Sequence, residues 1–246
     1  PMADSRRAVS ESLERARRSH RLPQDALFLV AVSGGADSLG LAWAAQFVLS
    51  KAGHRLVAVI IDHGLQAGSD QVAEDTQATL EGLGIDAEII SLDLEDSGNL
   101  EQRAREARYQ ALSRAAYEQQ ARAVLLGHTL DDQAETVLMG LARGSGPGSI
   151  QGMEEISGLW WRPFLGLRRA TTQQVCRDVG ISWWEDPHNT DPRFLRPRIR
   201  HEVMPLLEDT LGPGVAEALV RTAAGLAQDR GDQLEVATVP FAPESE

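Results

Sequence analysis

Apolar and polar positions alternate along this chain in two rhythms. Leu27–Val32 is an unbroken apolar run rich in β-formers, and it predicts a buried strand. After the glycine turn that follows, Leu39, Leu41, Ala42, Ala45 and Val48 recur at helical spacing, which predicts a helix from Asp37. The alternation then repeats. Strands are predicted at His54–Ile61, Ala87–Leu92 and Ala123–Leu126, and helices at Gln66–Leu83, Leu100–Gln120 and Asp131–Ala142. Leu100, Ala104, Ala107, Ala111, Leu112 and Ala115 mark the inner side of the third of these helices, counted from Asp37. An arginine-rich amphipathic helix over Ser10–His20, with Val9, Leu13 and Ala16 inward, precedes them and ends at Leu22-Pro23. Strands alternating with helices predict an α/β fold, a parallel sheet with helices on both faces. Ligands of such sheets sit beyond the carboxyl ends of the strands, and Ser33, Asp62, His63 and His128 all fall there.

The rhythm changes after residue 142. Arg143–Gly152 is glycine-rich and predicts a mobile loop. A short edge strand is expected at Leu159–Pro163, a helix at Arg168–Val179 and a turn at Asn189–Pro192. Helices follow at Leu195–Leu207, interrupted at Pro197, and at Gly214–Asp229, while the tail from Thr238 lacks a core pattern. The expected organisation is a catalytic domain over residues 1–192 and a small α-helical unit over 193–246. There is no internal repeat.

Composition narrows the function classes. A chain of 246 residues holds one sizeable core and a small second unit. Cys176 is the only cysteine, which excludes an intrachain disulfide, a CxxC pair and a cysteine-based metal site, and fits a cytoplasmic setting. No apolar run reaches membrane length, and the charged N-terminal stretch does not read as a secretion signal. A net charge of −12 argues against broad nucleic-acid binding but leaves room for a local basic surface.

Ser33-Gly34-Gly35-Ala36-Asp37-Ser38, between strand and helix, has the chemistry of an anion site. Free N–H groups and the helix dipole point at the turn, and glycine lets a phosphate approach the backbone. Asp37 repels phosphates unless a divalent cation lies between, and Mg²⁺ prefers carboxylate plus phosphate oxygens. The second informative string is Gly127–Met139, G-H-T-L-D-D-Q-A-E-T-V-L-M. Asp131 and Asp132 suit a helix N-terminus, and Glu135 falls on their face at i+4 and i+3. Carboxylates that close need a cation, either Mg²⁺ or a cationic substrate. Arg193, Arg196, Arg198 and Arg200 read either as a solvated face or as contacts to a phosphate backbone. Trp160, Trp161, Trp183 and Trp184 fit core packing better than base stacking.

The six-residue loop resembles that of the N-type ATP pyrophosphatases (the PP-loop family), and further strings resemble the tRNA(Ile)-lysidine synthetase family. Those strings are D-H-G-L-Q, A-R-Y, G-H-T-L-D-D-Q-A-E-T, R-G-S-G, R-P-F-L and E-D-P-H-N-T-D-P-R-F-L-R-P-R-I-R-H-E, in order over most of residues 25–205. The resemblance implies an adenine nucleotide alpha hydrolase-like fold and a ligase that joins free L-lysine to carbon 2 of the wobble cytidine of a tRNA(Ile) with a CAU anticodon. The cytidine is first adenylated by ATP, and AMP and pyrophosphate leave. It further implies that Ser33, Gly34, Gly35, Ala36, Asp37, Ser38, Asp62 and His63 bind ATP, with Asp37 at Mg²⁺. Arg108 would support adenylation, Arg103 and Arg105 being alternatives on the same segment. Asp132 and Glu135 would hold lysine, His128 would lie near the reacting centre, and the four arginines would meet tRNA. No membrane is implied, and a homodimer is left open. The competing readings are another tRNA-modifying PP-loop enzyme and a non-catalytic nucleotide-binding module. The single cysteine disfavours thiolases that use paired cysteines, and the clustered acids disfavour the module.

Overall fold

The computed structural model describes residues 1–19, 22–64, 66, 68–92, 100–144 and 150–237. The end of the first helix at His20, Leu65 of the D-H-G-L-Q string, the centre of the glycine-rich loop and the tail from Thr238 lie outside the described residues.

Described residues fall into two compact units, 1–130 with 154–189, and 131–153 with 190 onward. The first unit holds α1 (Met2–Ser19), β1 (Leu27–Val32), α2 (Ala36–Lys51), β2 (Arg55–Asp62), α3 (Ser69–Gly82), β3 (Asp86–Ser91), α4 (Leu100–Glu118) and β4 (Ala123–Leu125). α5 (Leu130–Arg143) belongs almost wholly to the second unit. β5 (Ile156–Ser157), β6 (Trp160–Trp161), α6 (Arg169–Val179) and a 3₁₀ turn at Pro187–Thr190 follow.

The sheet order is β3-β2-β1-β4-β6-β5, parallel except for the β5–β6 pair. The chain thus runs outward from β1 in one direction and returns to β1's other side at β4, which makes the carboxyl ends of β1 and β4 the switch point. The expected edge strand is β6, and it lies one place inside the edge because β5 pairs beyond it.

β1 shows why the run from Leu27 carries no polar residue. Its even positions, Phe28, Val30 and Val32, join a core with α1, α2, α3 and Cys176 of α6. Its odd positions, Leu27, Leu29 and Ala31, join a second core with Leu112, Ala115 and Ala116 of α4. A strand buried on both faces has no solvent side on which to alternate. α2 is likewise buried nearly all round, since α1, α6 and the sheet pack against it. Val9, Leu13 and Ala16 of α1 are buried as expected.

In the second unit, Leu195–Arg198 forms α7, a π-helical turn spans Ile199–Val203, and α8 (Met204–Leu211) and α9 (Val215–Ala237) follow. Pro197 does not interrupt this run. It sits in the first turn, where its missing N–H would have had no helical partner, and the irregularity comes after it as the π turn.

Candidate active site

In the first unit a cavity of about 210 Å³ opens at the carboxyl ends of β1 and β2. Ser33, Asp62 and His63 line it at the strand ends, Arg108 from α4, and Trp184, Asp186 and His188 from the segment after α6. Sequence reasoning placed Ser33, Asp62, His63 and Arg108 here. It quoted the E-D-P-H-N stretch but gave it no role in the cavity. The Trp184 N–H just before that stretch donates to the Gly34 carbonyl at 2.9 Å, and Gln66 Nε2 lies 3.0 Å from Asp186 Oδ1 and 2.6 Å from His188 Nδ1.

Two glycines make the loop possible. Gly34 has φ +80°, and a Cβ there would meet Thr76 Oγ1 at 2.8 Å. Gly127, beyond β4, brings its backbone so close to α2 that a Cβ would lie 3.0 Å from Ser38 N and 3.1 Å from the Asp37 carbonyl. Ser38 Oγ accepts from Ser33 N at 3.2 Å and donates to the Gly35 carbonyl at 2.9 Å, so this hydroxyl braces the loop from within. Gly35, the N-cap of α2, offers no side chain to the helix's first N–H groups. A helix start without a side-chain cap, three residues past the cavity-lining Ser33, suits an anion.

The electrostatics agree. Arg108 is pulled below the usual guanidinium range, chiefly by burial, with Arg105 adding to the effect against Tyr109. Burial and then Arg108 also lower His63, so its imidazole is neutral near pH 7. The Nδ1 of His63 is buried without a hydrogen bond among the described residues. A half-buried cation beside an uncharged imidazole is a setting for a phosphate-bearing ligand.

Asp37 turns toward α6. The Thr172 hydroxyl donates to its Oδ1, and Arg169 Nε lies 3.2 Å from Oδ2. Sequence reasoning missed both partners, which lie over 130 positions away. No group of three His, Cys, Asp or Glu that could hold a metal occurs among the described residues. One carboxylate fits Mg²⁺ of the kind that takes its other ligands from phosphates and water.

In the second unit, α5 and the run from α7 build a compact ionic cluster. Arg200 Nε and Nη2 lie 2.7 and 3.0 Å from the two oxygens of Glu135, and Nη2 lies 3.3 Å from Asp132 Oδ1. Arg196 Nη2 donates to Thr136 Oγ1 at 2.7 Å. Glu135 is 2% exposed, so this is a bidentate pair in a dry setting. The acidic pair is thus met by Arg200 and, more distantly, by Arg196, whose Nε lies 3.9 Å from Glu135 Oε2. Of the four arginines expected to face RNA, Arg196 and Arg200 are engaged with α5. Arg193 and Arg198 stand exposed, paired with Asp191 and Glu202.

A PP-loop domain model matches residues 6–207. The tRNA(Ile)-lysidine synthase of Thermobifida fusca is 49% identical over 236 residues, which cover 96% of this chain and 71% of that protein. The chain belongs to the tRNA(Ile)-lysidine synthase family of PP-loop proteins. The synthase of Leifsonia xyli subsp. xyli is 53% identical over 213 residues, 86% of this chain and 64% of the relative. That of Streptomyces coelicolor is 50% identical over 222 residues, 89% and 63%. This PP-loop protein thus spans less than two thirds of the length of several relatives it matches. Among solved structures, the U34-tRNA thiolase NcsA of Methanococcus maripaludis superimposes with a TM-score of 0.74 at 18% identity, covering 92% of this chain and 79% of that one. At that identity the likeness concerns the fold.

Proposed function

We propose that this chain catalyses the ATP-dependent joining of L-lysine to carbon 2 of the wobble cytidine of a tRNA(Ile) with a CAU anticodon. The observation that carries the reading is the pairing of two sites in a chain about half identical to lysidine synthases. One is an Arg108-lined cavity under an uncapped helix start, and the other is a buried acidic pair that holds a cation. In the first step the cytidine O2 attacks the α-phosphorus of ATP and pyrophosphate leaves. In the second the lysine ε-amine attacks carbon 2, and AMP leaves with the oxygen. Adenylation turns a poor leaving group into a good one. Arg108 balances charge developing at phosphorus, and Asp37 would hold a Mg²⁺ that would supply further positive charge there. Ser33 to Ser38 cradle the phosphates, and Asp62 and His63 line the nucleotide's cavity.

Asp132 and Glu135 receive the lysine ammonium, in place of or beside the Arg200 guanidinium that they hold now. The amine must lose a proton before attack, and a carboxylate or His128 accepts it. Residues 193–246 contact tRNA, and the reaction belongs in the cytoplasm. No helix among the described residues is long and apolar enough to cross a membrane.

Incubation with ATP, radiolabelled lysine and bulk tRNA tests the proposal. Label in tRNA that depends on ATP supports it. Pyrophosphate release without lysine transfer would point to another PP-loop activity, and ATP binding without turnover to a non-catalytic module.

A further inference from the structure

Asp37 is the second residue of α2, at the end where phosphates would arrive, and both of its oxygens are engaged from one turn of α6. That turn is firmly held. Val175 and Cys176 are buried, Thr172 is fully buried, and α6 packs along α2. The pair is not sealed, since the Arg169 and Asp37 side chains keep 20% and 24% of their exposure. An ion pair in such a place is weak enough to exchange and strong enough to bias what binds. Arginine's planar fork also matches phosphate oxygens as well as it matches a carboxylate.

We propose that Arg169 is the counter-ion that Asp37 exchanges for a divalent cation, and that the guanidinium so released binds the polyphosphate of the incoming nucleotide. The inference rests on the nucleotide-site reading above and adds to it a residue and a linkage. Before nucleotide arrives, Arg169 neutralises a carboxylate that would otherwise repel a polyanion. When the cation takes Asp37, the positive charge of Arg169 is surplus at that spot, and phosphate oxygens are its natural partners. Cation and nucleotide therefore favour each other's binding through a residue that holds one and then the other, which is a coupling free energy in the strict sense. Arg169 acts on charge placement and performs no bond chemistry, so no proton or electron is transferred in the exchange.

The test is equilibrium binding, with Mn²⁺ as a paramagnetic stand-in for Mg²⁺ and α,β-methylene-ATP as a nucleotide that cannot be cleaved at the reacting bond. Arg169→Gln removes the competitor for Asp37. Mn²⁺ binding without nucleotide, read by electron paramagnetic resonance, is expected to tighten by about tenfold, the scale of one charge-assisted contact. Binding of the analogue in the presence of Mn²⁺ is expected to weaken by a similar factor. Arg169→Lys keeps a charge and is expected to return Mn²⁺ affinity to that of the unaltered protein, which a purely structural role would not require. If Arg169→Gln does not fold by circular dichroism, Arg169→Met, which keeps the apolar stem, must show the same two shifts. Unchanged or weaker Mn²⁺ binding in the folded variant, or unchanged analogue binding, overturns the inference while leaving the nucleotide site standing. If the unaltered chain binds no analogue at all, the nucleotide site and the inference fall together.

Discussion

Cys176 shows how one side chain reports on its surroundings. It is fully buried behind the phosphate loop, donates to the Ala36 carbonyl at 3.4 Å, and feels Asp37 nearby. Burial first, and then the Asp37 charge, push its thiol up to about 11 from 9.0. The folded state thus holds a proton that the unfolded chain releases earlier. The stability contributed by this group is complete below pH 9 and is lost as pH rises toward 11. Cys176→Ala is expected to flatten the fall in denaturant midpoint over that interval. Native protein should react with a thiol reagent at pH 8 only as fast as it unfolds, and rapid labelling at pH 8 would show the thiol to be accessible. The residue scale is also where the sequence was least legible. Ser33, Asp62, His63 and Arg108 could be placed because strand ends and loop motifs are local patterns. Arg169 and Thr172 could not, because nothing near them in the chain signals a carboxylate more than 130 positions away. For Arg200 the basic string leaves a solvated face and a phosphate contact both open, and the family resemblance points to RNA. The partner of Arg200 lies 65 positions upstream, and only folding reveals the pair.

At the level of elements, the informative contact is between the end of β4 and the start of α2. β4 is only three residues long, yet its continuation carries Gly127 against the backbone of Asp37 and Ser38. The neighbours are main-chain atoms that cannot swing aside, so Gly127→Ala must move the loop itself. We expect a loss of about 1–3 kcal/mol in thermal or chemical unfolding, together with weaker ATP binding by titration calorimetry. A variant of unchanged stability and affinity would mean the two segments separate easily. Most elements were legible because β1 and β2 are unbroken apolar runs and α1 repeats its apolar residues at helical spacing. The 3₁₀ turn overlaps the expected turn at Asn189 and Thr190, while the π turn was not legible, because it depends on tertiary packing more than on any local period. The near-complete burial of α2 was also hidden, since a helix covered by two others shows no polar stripe.

For the whole molecule, charge is unevenly spread. Between Trp160 and Pro205 stand eight arginines and five acids, a local +3 in a chain of net −12. Half of the four expected RNA-facing arginines are spent inside the second unit, so the contacts available to a polyanion are Arg193 and Arg198. Replacing both by Gln should weaken tRNA binding and lower its salt slope by up to about 1.5, from two phosphate contacts. The parallel pair Arg196→Gln and Arg200→Gln should instead cost about 3 kcal/mol or more of stability, because Glu135 is left buried without its partner. Filter binding across a salt series and urea unfolding separate the two. An unchanged slope for Arg193 and Arg198 would send the search for the RNA surface to Arg15, Arg17 and Arg18 on α1.

The route of the chain between its two units has a consequence for how this fold can be cut and recombined. The backbone leaves the first unit after residue 130, re-enters it at 154 and leaves again after 189. α5 is therefore an insertion, in gene order, inside the unit that carries the phosphate loop, while the helices that hold its acids come from the far end. A cut after residue 189 does not liberate a module. It strands Glu135 without Arg200. In a lineage of such proteins, the segment around α5 and the segment after residue 190 can only be exchanged together, as one cassette written in two places.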